Sequence, residues 1–314
     1  AAARDNLEQA LKLAAEALSL APNDLTAASL RQALAADLAT LDGTYQLSGL
    51  RLITNFAGAG PTAPLLHLAV SSGTAYILGQ DGRLLRYPLE ASSSNASATK
   101  ALDTQPPSAN GEGALAPIPP EEGSGAFYLD GERRLFRYSG QTAKAVSLRG
   151  ADDWLSFQAI AFREGSLYVL DSRASQVWRY LPTEGGYDSE RRSILKGAQL
   201  TAATDLAIAG DVYILEAGGR VRRFVDGRES TFPQSGLTQP LVNPRRIMVG
   251  RRSQRVYVVD SGQRRIVVFS PDGAFFRQFT DDTLDSLQDA AIDEAGSKVY
   301  LVTQSGLYEA NLPP

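Results

Sequence analysis

A chain with a single histidine and no cysteine has few routes to covalent catalysis, so the placement of its charged residues carries most of the functional information. No thiol nucleophile and no cysteine-held zinc is possible. The residues that could do chemistry are His67, Asp205, Arg246 and Asp289, which fall with Ala159 at equivalent points of strand segments recurring along the chain. Two carboxylates, a guanidinium and an imidazole brought to one point have three readings. They can be a structural ion-pair cluster, because an arginine removed from water is best held by paired carboxylates. They can form a polar pocket for a small anionic or zwitterionic ligand. They can hold a divalent cation, which Arg246 would repel. No Gly-x-Ser-x-Gly accompanies His67, so nothing marks a serine nucleophile. Trp154, in Asp152-Asp153-Trp154, enters at the same end of a strand layer. Exposed, it would anchor a ligand; covered, it would close the edge of the layer.

The elements that position these residues form a repeat. A tyrosine with two or three apolar residues, a polar turn and a closing Arg-Tyr or aromatic pair recur at Tyr76 to Tyr87, Tyr128 to Tyr138, Tyr168 to Tyr180, Tyr213 to Phe224 and Tyr257 to Phe269. A shorter copy runs from Tyr300 to Tyr308. A period of about 40–50 residues holding several short strands predicts propeller blades, and six copies predict an all-β, six-bladed β-propeller over residues 43–314. The recurring Arg-Tyr pairs read as packing between blades, with arginine stems over aromatic rings.

Residues 1–42 differ. Leu7, Leu11, Ala14 and Leu18, then Leu30, Leu34, Leu38 and Leu41, recur at helical spacing around a Pro22-Asn23-Asp24 break, which predicts a helical hairpin serving as stalk or cap. Residues 44–56 read as strand. The sixth repeat lacks a fourth strand, so the segment near 46–54 is expected to supply it and close the ring. Residues 88–113, rich in Ser, Ala, Asn and Pro, read as a long insertion, and Pro117, Pro119 and Pro120 make blade two the least regular. No apolar run is long enough for a membrane span and no signal peptide is visible. The chain opens at Ala1 without a methionine, and the expectation is a processed or excised piece of a longer protein that a membrane segment elsewhere could tether.

Residues 243–279 carry a more specific signal: Asn243-Pro244-Arg245-Arg246-Ile247, then Tyr257-Val258-Val259-Asp260-Ser261, Arg265-Ile266-Val267-Val268-Phe269 and Pro271-Asp272-Gly273. This stretch resembles the NHL repeat, and Tyr168-Val169-Leu170-Asp171-Ser172 keeps part of the same pattern. Arg246 departs from it, standing where the pattern has a small glycine. The resemblance implies a binding platform, in a family that includes RNA binders, protein-interaction modules, ectodomain sensors and a few enzymes. Eight arginines against two aspartates in residues 243–279 face seven acids against one lysine in 280–314, and the net charge is −4, which disfavours nucleic acid. The order of elements, hairpin then propeller, is similar to the extracytoplasmic half of bacterial receptor-type Ser/Thr phosphatases or kinases. The expectation is a non-catalytic, extracytoplasmic sensor or interaction domain with no cofactor, binding a protein or a small anionic or zwitterionic ligand. The alternatives are a metal-dependent, lactonase-like propeller hydrolase using His67, Asp205 and Asp289, and an RNA-binding propeller.

Overall fold

The computed structural model describes residues 2–56, 65–79, 82, 84–89, 113–139 and 142–313. Most of the predicted insertion at 88–113 lies outside these residues. Helix α1 (Ala2–Leu20) and helix α2 (Leu25–Leu41) form the hairpin. The Asp24 carboxylate starts α2 by accepting the Thr26 and Ala27 amides. Arg4 reaches back to Asp42 at 2.9 Å and fastens the open end of the hairpin. The hairpin is not a cap sunk into the propeller. Ala14 is its only buried side chain among the described residues, and Leu13, Leu20, Leu25, Leu30 and Leu41 are exposed.

The six inner strands are Leu65–Ser71, Gly113–Pro117, Phe157–Arg163, Ala203–Ala209, Pro244–Val249 and Leu287–Asp293. Each touches the next around a closed circle, and the last touches the first. Each begins an antiparallel sheet running outward, which gives the six-bladed propeller predicted from the repeat. The core lies between blades. Ile160 and Val169 of blade three pack on Ala114, Phe127 and Leu129 of blade two, and Leu206 and Ile214 of blade four pack on Tyr168 and Leu170 of blade three. Alternation along each strand sends one set of side chains to the preceding blade and the other to the following one. Tyr87, Tyr138, Tyr180, Phe224 and Phe269 are all buried in these layers.

Pairing corrects the repeat at one place. Tyr76, Tyr168 and Tyr213 stand opposite Arg86, Arg179 and Arg223, but in blade two Phe127, not Tyr128, stands opposite Arg137. Tyr128 takes the adjacent, opposite-facing position, where it packs against Tyr76 and Leu78. Two aromatics in a row had hidden the register, because a shift of one residue exchanges the faces.

The N-terminal segment closes the ring more extensively than the sequence suggested. Ser48–Asn55 pairs antiparallel with Gly306–Asn311 and is the outer strand of blade six. Thr44–Gln46 pairs parallel with Gln278–Thr280 as a fifth strand of blade five. One segment of chain therefore clasps two blades. Closure buries Ile53 and Phe56 with Val302 and Leu307 of blade six and Leu68 and Ile77 of blade one. Removing residues 1–42 is expected to leave the melting temperature within a few degrees of the full chain, because the hairpin buries almost nothing against the propeller. Removing residues 1–56 is expected to yield aggregated protein by size-exclusion chromatography, because it bares the edge of blade six and its apolar layer.

Candidate functional site

A common backbone irregularity sets the site. In five inner strands the pairing register shifts before the third residue, between Leu65 and His67, Phe157 and Ala159, Ala203 and Asp205, Pro244 and Arg246, and Leu287 and Asp289. Such bulges redirect side chains near strand ends. The residue after each shift stands opposite the same point of the second strand: Leu78, Leu170, Leu215, Val259 and Val302. Blade two has no shift, and Ala114 opposite Leu129 is its counterpart. The six residues at this level are thus His67, Ala114, Ala159, Asp205, Arg246 and Asp289. Four consecutive blades supply a polar arc, and the other two supply alanines.

Arg246 is the centre of the arc. Its guanidinium lies 3.1 Å from His67 Nδ1, 3.7 Å from Asp205 Oδ2 and 4.0 Å from Asp289 Oδ2. The carboxylate distances are ion-pair separations, too long for hydrogen bonds. Both carboxylates have other partners. Asp205 Oδ2 accepts the Ile247 amide of the next blade at 2.8 Å. Asp289 Oδ2 accepts the Leu68 amide of the next blade at 2.6 Å, and its Oδ1 accepts the Ala290 amide. Each aspartate therefore ties its blade to the following one beside the channel, and the Asp289 bond spans the seam where the ring closes. Asp289→Ala is expected to lower stability by about 1–3 kcal/mol, since it orphans a buried amide. Asp289→Asn, which keeps an acceptor, should cost less in a denaturant melt.

Burial governs the titrations. His67 is pushed down to about 3 by burial, with Arg246 and Arg245 adding repulsion. With Arg246 donating to Nδ1, the ring is the neutral tautomer with its proton on Nε2. Asp289 is pushed up to about 6 by burial, which Arg246 and two backbone amides only partly offset, and Asp205 is raised for the same reason. Burial opposes the charge on Arg246, yet Asp205 and Asp289 together outweigh it and hold the guanidinium protonated. The two shifts act oppositely on stability. The unfolded chain takes a proton on histidine near 6.5 that folded His67 refuses, so its contribution is intact above 6.5 and is lost as pH falls. Folded Asp289 takes its proton before the unfolded chain does, so its term grows more favourable as pH falls through about 6. His67→Asn is therefore expected to gain stability relative to wild type as pH drops from about 6.5 towards 4. The single imidazole Cε1–H proton signal should show no titration near its ordinary value in the folded protein, and titration near 6.5 would contradict this geometry.

The structure brings together four of the five residues singled out in the sequence. It does not bring Trp154, which is 2% exposed and lies in the core between blades two and three, its Nε1–H donating to Tyr180 Oη at 2.9 Å. A ring stacked between blades cannot anchor a ligand, so Trp154 is removed from the site. Sequence reasoning missed Arg245. It is the residue bypassed in the blade-five bulge, it is exposed, and its charge acts on His67. The Arg245-Arg246 doublet was the available signal. The motif aspartates are structural: Asp171 accepts the Leu155 and Ser156 amides, and Asp260 accepts the Val242 amide and the Arg265 guanidinium, so each fixes the loop that enters its inner strand. Three arginine doublets elsewhere in the chain, Arg133-Arg134, Arg191-Arg192 and Arg251-Arg252, have partners of their own. Arg134 pairs with Asp130, Arg191 stacks on Trp178, and Arg251 reaches Glu121 and Glu122 of blade two.

A metal fits the arc poorly. The carboxylates are committed to backbone amides and face a guanidinium, and no cluster of three metal-binding side chains occurs among the described residues. A surface cleft of about 350 Å³ lies apart from the arc on blade four, lined by Arg220, Arg222 and Glu229, whose charges pair with one another.

No known protein family and no curated protein matches the chain. Solved structures do match in fold. A gluconolactonase of Xanthomonas campestris is 15% identical, with 88% of this chain and 93% of that one covered and a TM-score of 0.59. A chain of a nidogen/laminin complex is 18% identical, covering 74% and 86%, with a TM-score of 0.54. A streptogramin B lyase is 12% identical, covering 84% and 98%, with a TM-score of 0.50. All are similar in the propeller fold, and none bears on the NHL or receptor resemblance. These neighbours correct one expectation. A propeller of this form was read as non-catalytic, but two of the similar structures are enzymes, so the frame gives no ground for excluding activity.

Proposed function

We propose that this chain is a ligand-binding propeller whose site is the channel level around Arg246, and that its ligand is a small carboxylate or other anion, alone or within a zwitterion. The observation that carries this reading is the guanidinium itself. Its side chain is 11% exposed, its carboxylate neighbours stand beyond hydrogen-bond distance, and its one hydrogen bond among the described side chains goes to His67. A guanidinium offers five donors. An anion between Arg246 and the alanine side of the ring would take up these donors, with exposed Arg245 as a second cation. The four-donor deficit favours a ligand pocket over a purely structural cluster, which would have closed the pairs to bidentate distance.

The hairpin fits a reporting role in a larger signalling protein. It runs directly into residues 44–55, which are hydrogen-bonded to blades five and six, the blades that carry Arg246 and Asp289.

A second reading is favoured by the fold shared with a lactonase and a lyase: the bound molecule is turned over. In that case Arg246 and the His67 Nε2–H would stabilise developing negative charge on an oxygen. His67 Nδ1 is occupied, so it would not serve as the base.

Calorimetry against small carboxylates, amino acids and phosphate tests the binding, and lactones tested for ring opening separate the two readings. Arg246→Gln is expected to weaken binding by about a hundredfold, the loss typical of a buried charge-assisted contact. Arg246→Gln that melts lower but binds every compound as the wild type does would show a purely structural arginine.

A further inference from the structure

Far from the channel, the outer edge of blade five presents a ladder of alternating cations and aromatic rings. The Arg277 guanidinium lies 4.6 Å from the Tyr45 ring centre and 4.3 Å from that of Phe276, and Arg255 lies 3.7 Å over the same phenyl ring. The order along the surface is Tyr45, Arg277, Phe276, Arg255. Tyr45 is 45% exposed and Phe276 37%. Three chain segments contribute: the fifth strand that follows the hairpin, the outer strand of blade five, and the turn before its second strand.

A backbone device builds it. Along the outer strand, Val268 pairs with Arg277 and Phe269 with Phe275, so Phe276 is skipped as a bulge. Regular alternation would send Phe276 and Arg277 to opposite faces. The bulge turns Phe276 outward, where both guanidinia reach its ring. A phenyl ring held at the surface between two arginines is costly for a side chain with no structural duty, since inter-blade packing is supplied by Phe275 and Phe279 on the same strand.

We propose that this ladder is a docking surface for an acidic peptide segment of a protein partner, one carrying carboxylates together with an apolar side chain. The carboxylates would bridge to Arg255 at the end of the stack, where a guanidinium laid flat on a ring still points its N–H groups outward, and Arg277, held between two rings, would add its charge to the surface. The apolar side chain would cover Phe276 and Tyr45. Arginine flanked by aromatics is the composition found at the anchoring points of protein interfaces. The overall charge of −4 favours a short acidic element, steered locally, over the extended polyanion of a nucleic acid.

The test is fluorescence anisotropy of a labelled Glu-Glu-Phe repeat peptide titrated with the full chain. The same repeat with Gln for Glu, and an oligo-dT of matched charge, are the comparison probes. The acidic peptide should bind, weaken with added salt, and lose about tenfold in affinity with either Phe276→Ala or Arg255→Gln. Arg255→Lys should recover only part of the loss, because an ammonium does not stack as a guanidinium does. Arg246→Gln should leave this binding unchanged, which keeps the surface distinct from the channel site. Should Phe276→Ala fail to fold, Arg255→Gln and Tyr45→Ala, both at partly exposed positions, carry the test. Absence of binding, equal binding of the Gln peptide, indifference to Arg255→Gln, or preference for oligo-dT would each overturn the proposal.

Discussion

Closure of the ring is the constraint on which the rest depends. A radial blade buries both faces only when it has a neighbour on each side, and its outermost strand leaves an edge unless another strand covers it. This chain meets both needs with residues 44–55, which fill the outer strand of blade six and extend blade five. Every inter-blade layer then becomes continuous. The Asp289 carboxylate completes the seam from the inside by taking the Leu68 amide of blade one. Outer-strand pairing and an inner carboxylate bond thus hold one junction at two radii.

The same geometry explains why charge can persist beside the channel. Asp205 and Asp289 each tie their own blade to the next through a backbone amide, so their burial has a structural reason independent of Arg246. Arg246 balances the charge of both without close contact to either. Burial suppresses the protonation of His67 and raises Asp289, and the two shifts oppose each other in mildly acidic solution. Carboxylates bonded to backbone amides beside a guanidinium with one hydrogen bond among the described side chains are what distinguish this arc from a simple ion-pair cluster.

The hairpin and the ladder lie on the same side of the closure. Tyr45 belongs to the short strand between α2 and blade six, and it stacks on Arg277 of blade five. The amide of Gln278 also donates to Gly43 O, immediately after the hairpin. The base of the hairpin, the proposed docking ladder and the packing of blade five therefore share one set of residues.

The period of the repeat, the hairpin with its break at Pro22-Asn23-Asp24 and the missing strand of blade six were legible in the sequence, because each rests on local rules: apolar spacing, a helix-breaking turn, and a count of strands; that Asp24 rather than Asn23 is the cap was decided by the structure. The alignment of His67, Asp205, Arg246 and Asp289 was legible too, since a repeat carries equivalent residues to equivalent places. What lay beyond the sequence was set by contacts between distant segments. Trp154 became core because Tyr180 supplies its indole with a partner inside a layer. Phe127 displaced Tyr128 because pairing register is fixed across strands and not by residue type. The split of residues 44–55 between two blades, the bulge that frees Arg245, and the one that turns Phe276 outward were likewise decided only when strands met, because a bulge is a mismatch between two strands and neither strand encodes it alone.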